Sequence, residues 1–258
     1  MPRIDTYADD MELMKVPGPG TFTFSAVKPD DLGASEYTLV TLVIDETGSV
    51  GPFADKLVDT VKTIIEACKK SQRAENLMVR YITFNTSIHE VHGFKELHSI
   101  DTNDYNALNP RSMTALYDAA YSGIASTLAY AETLTEQDFD VNGAVYIVTD
   151  GDDNASSLGT SEIKKQITEA LRGEKIESLI TVLVGLKDPS LTGSDWSNTI
   201  SSKLNDFKNE ANLTQYVDVG DATAGKLAKL ADFVSESVSS QSNALNSGSA
   251  SIPINVTF

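Results

Sequence analysis

The chain has 258 residues, 41% of them hydrophobic, which suffices for one large domain with a sizeable core. Its 37 acidic residues outnumber 20 basic ones, for a formal net charge of -17, so nonspecific binding of a nucleic-acid backbone is excluded as a main activity, because that requires Lys and Arg at the phosphates. The polar, acidic residues 1–14 offer no apolar stretch for a signal peptide, and no run reaches the roughly 18 apolar residues that span a bilayer.

In chain order, residues 21–27 (TFTFSAV) alternate in the manner of a strand. Residues 37–44 (YTLVTLVI) form a nearly continuous apolar and β-branched run, the mark of a strand buried on both faces. A helix follows, with apolar residues at Phe53, Leu57, Val58, Val61, Ile64, Ile65 and Cys68. Cys68, the lone cysteine, reads as core and excludes an internal disulfide. Residues 77–84 give a second strand. Residues 87–94 give an edge strand whose apolar positions Ile88, Val91 and Phe94 do not alternate. A polar loop over 98–112 leads to an Ala-rich helix over about 114–134. Then come a strand at 144–148, a helix at 161–171, a strand at 179–186, a helix at 196–210, a strand at 216–219 and a helix at 223–238.

This alternation predicts a three-layer, Rossmann-like α/β domain over 37–238, with a mostly parallel sheet, one antiparallel edge strand and helices on both faces. Residues 1–36 form an N-terminal extension. The stretch 235–251 is Ser- and Asn-rich, a flexible linker by composition. Residues 252–258 (IPINVTF) alternate like a strand; two readings stand side by side, that the two terminal strands pair with each other or with another subunit, or that one or both are simply disordered. A soluble cytoplasmic protein is the expectation, in which the four Asn-x-Ser/Thr sequons at Asn85, Asn154, Asn212 and Asn255 are fortuitous.

In open α/β sheets, ligands gather at the loops beyond the carboxyl ends of the strands. Three such loops carry oxygen ligands: Asp45-Glu46-Thr47-Gly48-Ser49, Arg111-Ser112-Met113-Thr114, and Thr149-Asp150-Gly151-Asp152-Asp153-Asn154. Asp45, Thr47 and Ser49 can offer a carboxylate and two hydroxyls from one tight loop, with Gly48 expected to let the backbone fold back. Thr114 adds a third hydroxyl and Asp150 a second carboxylate. Magnesium takes about six hard oxygens, one or two of them carboxylates with water completing the shell. Manganese would substitute, and calcium is the third option.

These residues carry a resemblance. Asp45, Thr47 and Ser49 match the Asp-x-Ser/Thr-x-Ser signature of the von Willebrand factor type A family, the first segment of its metal-ion-dependent adhesion site. The segment MTALY, with Thr114 at the ligand position, looks like that family's second segment, and Val148-Thr149-Asp150-Gly151, with Asp150, looks like its third. The spacing fits, with 69 residues from Asp45 to Thr114 and 36 more to Asp150. Thr47 stands where serine is commoner, and Met113 where a small residue is frequent. The resemblance covers 37–238 and implies a non-enzymatic protein–protein interaction module whose metal binds a Glu or Asp of a partner. It also implies that the partner is an AAA+ ATPase or a larger complex, as for intracellular proteins resembling this family.

Simpler roles exist for the same residues. Asp45, Asp150 and Thr114 are each good helix N-caps taken singly, and Thr47 and Ser49 good turn residues. Glu46, Asp152 and Asp153 read as solvated loop charges, while Asp118 stands either behind the site or on a solvated helix face. His89 and His92, three apart in a strand, would lie on opposite faces about 10 Å apart, which argues against a shared metal. Asp-Glu-Thr-Gly-Ser also resembles the Asp-x-Thr-Gly-Thr loop of haloacid dehalogenase-type phosphoryl-transfer enzymes, in which Asp45 would be the nucleophile. That reading finds no cap domain and leaves MTALY unexplained. A third reading is a structural subunit that assembles through its terminal strands without the metal.

Overall fold

The doubly buried run at 37–44 lies in the middle of the sheet. In the computed structural model of the chain, the described residues are 11–16, 18–20, 22–173, 175–189, 195–249 and 251–258. Residues 1–10, most of the stretch read for a signal peptide, and Thr21 lie outside them. The strands are β1 (Met11–Lys15), β2 (Thr23–Val27), β3 (Glu36–Asp45), β4 (Leu77–Phe84), β5 (Ile88–Glu96), β6 (Asp140–Thr149), β7 (Ser178–Lys187) and β8 (Gln215–Asp221). The helices are α1 (Ala54–Cys68), α2 (Leu116–Thr135), α3 (Thr160–Arg172), α4 (Asp195–Glu210) and α5 (Ala224–Ser247). One sheet of eight strands runs in the order β1-β2-β5-β4-β3-β6-β7-β8. From β4 to β8 all pairings are parallel, while β5 runs antiparallel to β4. This is the expected three-layer α/β architecture.

Strand period sorts the core. Tyr37, Leu39 and Val43 of β3 face the layer of α2, α3 and α4, whereas Val40, Leu42 and Ile44 face α1 and α5. Each fully buried Leu, Val or Ile contributes about 1.5–3 kcal/mol of transfer free energy, so a strand buried on both faces anchors both layers. Helix α2 lies close on β3. A Cβ at Gly123 would stand 2.7 Å from Val43 Cγ2, and the buried hydroxyls of Thr41 and Thr127 meet at 2.8 Å.

Residues 87–94 do form a strand, and its broken alternation has a cause. The β4–β5 register shifts twice, between Val79 and Tyr81 and between Tyr81 and Ile82, and a bulge resets which face each side chain takes. Nor is β5 the last strand, because the β1–β2 hairpin continues the sheet beyond it, with Ala26 opposite Phe94. An ion pair fastens that hairpin. Arg80 of β4, 1% exposed, donates from Nε to Glu90 Oε2 at 2.8 Å and from Nη1 to Ser126 Oγ at 3.0 Å. Glu90 Oε1 accepts from the Ser25 backbone N–H at 3.0 Å and the Ser25 hydroxyl at 2.7 Å.

The C-terminal region departs from expectation. The Ser/Asn-rich stretch is not a loose linker, since α5 continues through it to Ser247. Ser237, Val238, Gln241 and Ser242 are buried there, so packing outweighs weak helix propensity. Residues 252–258 form no strand, and they cannot pair with β2. They lie against the α1/α5 layer and contact Gln215 of β8, at the opposite end of the sheet from the hairpin. No helix among the described residues is long and apolar enough to cross a membrane.

Candidate functional site

Strands β3 and β6 are parallel neighbours with Ile44 opposite Val148, so their carboxyl ends deliver Asp45 and Asp150 to the same place. Asp45 is fully buried. Its Oδ1 accepts from the Thr47 backbone N–H at 2.7 Å and its Oδ2 from the Thr149 hydroxyl at 2.6 Å. The chain then enters a 3-10 turn, Gly48–Phe53, that brings Ser49 back over the strand end. The hydroxyls of Thr47 and Ser49 meet at 3.0 Å, and Ser49 Oγ donates to Asp150 Oδ1 at 2.7 Å. The first and third loops are therefore joined through side-chain oxygens, and the Asp150 backbone also bonds the Asp45 carboxyl. Gly48 needs no special backbone, as a Cβ there would meet nothing nearer than 4.0 Å. The residue in the left-handed region is Ser112, with φ 66°, in the second loop.

Thr114 is held from the third loop. Its backbone N–H donates to Asn154 Oδ1 at 2.8 Å, and its carbonyl accepts from the backbone N–H groups of Asn154 and Ala155 at 2.9 and 3.1 Å. Its Oγ1 lies 3.7 Å from where a Cβ of Gly151 would stand, so the hydroxyl faces the Asp150 loop. Thr114 does not cap α2, which starts at Leu116 and takes its N-terminal acceptor from Asp153, bonded to the Tyr117 N–H at 3.2 Å. Asp45 and Asp150 cap no helix either.

Glu46 and Asp152, read as solvated charges, instead fasten the loops, and Asp118, left between two readings, does the same. Asp118 accepts from the backbone N–H groups of Ser157 and Leu158 at 3.0 and 2.9 Å, while its own N–H donates to Ser156 Oγ at 3.0 Å. Glu46 accepts from the Asn109 N–H at 2.6 Å and the Thr83 hydroxyl at 2.9 Å, tying the first loop to the second. Asp152 pairs with Lys203 of α4 at 2.6 Å. These bonds join residues dozens of positions apart, as Asn154 to Thr114, and no local sequence pattern marks them. Asn85, 3% exposed, accepts from the Ser87 N–H at 3.1 Å, so that sequon is shielded from modification in the folded chain.

Thr47, Ser49, Thr114 and Asp150 line a cleft of about 520 Å³, while Asp45 is buried and does not line it. Met113, 56% exposed, Asn154, Asp188, Ile200 and Lys203 are among the other lining residues. Burial raises the Asp45 carboxyl above its ordinary range against the bonds from Thr149 and Thr47. Burial also pushes Asp150 up to about 7, with the negative charges of Asp45 and Asp188 adding to it. Two carboxyls in one low-dielectric place raise each other's proton affinity unless a cation offsets them. Among the described residues, no three His, Cys, Asp or Glu side chains form a ligand cluster. The donor set here is two carboxyls and three hydroxyls. His92 serves elsewhere, with Nδ1 2.8 Å from the Gly93 carbonyl and Nε2 2.8 Å from the Tyr105 hydroxyl.

No protein-family model matches the sequence, and no curated protein matches it. Solved structures do resemble it in fold. The D319A mutant of the PilB minor pilin from Streptococcus sanguinis aligns over 89% of this chain and 67% of its own, with TM-score 0.56 and 14% identity. The pilus adhesin SpaC from Lactobacillus rhamnosus GG aligns over 90% of this chain and 34% of its own, with TM-score 0.53 and 14% identity. The vWF domain of the type V pili tip protein Mfa5 from Porphyromonas gingivalis aligns over 87% of this chain and 99% of its own, with TM-score 0.50 and 11% identity. The chain thus spans about a third of SpaC and nearly all of the Mfa5 domain. Its fold is of the von Willebrand factor type A kind.

Proposed function

We propose that the chain is a divalent-metal-dependent protein-interaction module, in which Asp45, Thr47, Ser49, Thr114 and Asp150 hold Mg2+ and a carboxylate of a partner protein completes the site. The observation that carries this reading is the convergence of hydroxyls and two buried carboxyls at the ends of β3 and β6, joined by the Thr47–Ser49–Asp150 hydrogen bonds. The residues fit such an ion. All the donors are hard oxygens. A bound divalent ion would supply the positive charge that the raised Asp45 and Asp150 carboxyls lack, and would leave a net attraction for an anionic side chain. The rest is done by the chain: Asn154 sets the Thr114 backbone, Thr149 orients Asp45, and the cleft walls limit access.

Pilin, pilus adhesin and pilus tip protein are the names borne by the structures of similar fold, and they support a role in interaction or assembly. A phosphoryl-transfer role fits poorly, because it gives no part to the second loop, whose Thr114 is fixed by Asn154 with its hydroxyl facing the Asp150 loop. The test is titration calorimetry with MgCl2, followed by capture from the native lysate with magnesium, with EDTA and as Asp45→Ala. Wild type should bind the ion and retain a partner only when magnesium is present. Identical partners in all three arms would overturn the reading.

A further inference from the structure

Beside the candidate ligands the cleft carries one side chain to which the metal gives no role. Met113 precedes Thr114 in the second loop, is 56% exposed and lines the cleft. Of the large apolar side chains left exposed among the described residues, Leu13, Met113, Leu171 and Ile252, it alone does so. An exposed methionine by itself is ordinary. This one is pinned on both sides. Before it, the Asn109 N–H donates to Glu46 Oε1 at 2.6 Å, the Arg111 N–H to the Glu46 carbonyl at 3.1 Å, and the Gly48 N–H to the Ser112 carbonyl at 3.5 Å. After it, the Thr114 N–H donates to Asn154 Oδ1 at 2.8 Å. Between these ties Ser112 has φ 66°, a left-handed conformation uncommon for a residue with a side chain. Such backbone persists only where its surroundings impose it, and here it keeps Met113 out of the core and at the cleft.

The cleft of about 520 Å³ is far larger than one side-chain carboxylate needs, and falls in the range of small-ligand sites, about 300–1,000 Å³. A partner that brought a carboxylate to the ion would bring neighbouring side chains with it. Ile200, the other large apolar residue of the lining, is 3% exposed, and the remaining lining residues are hydroxyl, amide, charged or glycine. Both lysines of the lining are engaged, Lys187 with Asp218 at 3.3 Å and Lys203 with Asp152 at 2.6 Å, so neither is left unmatched for a second carboxylate. Met113 is then the contact open to an apolar neighbour. Packing there excludes water from the ion, and charge attraction strengthens as water leaves. Its unbranched chain and polarizable sulfur adapt to partners of different shape, which sorts apolar from polar without choosing one apolar residue.

We propose that Met113 sets partner choice: the docking segment carries an apolar residue next to the Glu or Asp that reaches the metal, and that residue packs against Met113. This rests on the metal-dependent reading above and adds to it the chemistry of the partner's neighbouring residue.

Immobilised pentapeptides with a central Glu test it, with each residue type placed in turn on either side of the Glu. The full-length chain is applied with magnesium as wild type, Met113→Ser and Met113→Leu, and magnesium calorimetry is run on the wild type. Wild type should hold peptides with Leu, Met or Phe beside the Glu about tenfold more tightly than those with Ser or Asn, the scale for burying part of one apolar side chain. Met113→Ser should lose that preference and Met113→Leu should keep it. Wild type that takes up magnesium but holds Glu peptides regardless of neighbour, or holds none, overturns the proposal and leaves the metal standing; so does a Met113→Ser chain that keeps the preference. No magnesium uptake in the calorimetry overturns the metal-dependent reading, and the proposal with it.

Discussion

At the residue scale, the site depends on groups that are not among the five candidate ligands. Asn154 accepts the Thr114 N–H and returns its own N–H to the Thr114 carbonyl, so it sets where the Thr114 hydroxyl stands. Asn154→Ala should destabilise the chain by about 1–3 kcal/mol through the N–H left unpaired. It should also weaken magnesium binding by about 10- to 100-fold, the usual effect of losing a residue that orients a ligand. Thermal melts and magnesium calorimetry on the one variant check both numbers. His92 gives a pH signature apart from the site. Burial above all, with Lys95 and Arg80 adding, lowers its pKa to about 4, below the ordinary value of about 6.5. The folded chain then binds fewer protons than the unfolded one between those values, so stability rises with pH across that window and is lost as pH falls from about 6.5 towards 4. His92→Gln should flatten that part of the slope in melts taken at several pH values.

At the element scale, the β1–β2 hairpin is attached less by its ladder than by charge. Its pairing with β5 is short, with Ala26 opposite Phe94, whereas Ser25 places two donors on Glu90, the partner of the buried Arg80. Removing one member of such a pair strands the other charge in the core. Glu90→Gln should therefore destabilise the fold by about 3 kcal/mol, the lower end for a buried pair because Glu90 keeps some exposure. Hydrogen exchange over residues 11–27 should rise first. Unchanged protection there would mean that packing of Phe24 on Phe94 is enough to hold the hairpin.

At the scale of the whole molecule, the formal charge of -17 acts in the same direction as the site. A negative molecule attracts divalent cations from a distance, and salt screens that attraction over about 10 Å at 0.1 M. Magnesium affinity measured by calorimetry should fall as NaCl is raised, and the fall should be nearly absent with a neutral probe of the cleft. The same charge repels an acidic partner, so a bound cation would decide whether the two surfaces can meet.

How much of this was open to a reader of the sequence follows the range of each interaction. Local signals were enough for β3 and β7, whose nearly continuous apolar and β-branched runs read as strands buried on both faces, for β4, and for the amphipathic α1. They also placed Asp45, Thr47, Ser49, Thr114 and Asp150 at strand ends and a helix start, and parallel β3–β6 pairing then brings those loops together. Composition misled at the C-terminus, because the helicity of 235–247 comes from burial of Ser237, Gln241 and Ser242 against the body. Alternation misled at 252–258, where the apolar residues enter a groove instead of a ladder. The fastening by Asn154, Asp153, Asp118 and Glu46, and the Arg80–Glu90–Ser25 clasp, join positions far apart in the chain. Period and propensity act over a few residues, so which distant polar groups meet was decided by the tertiary structure alone.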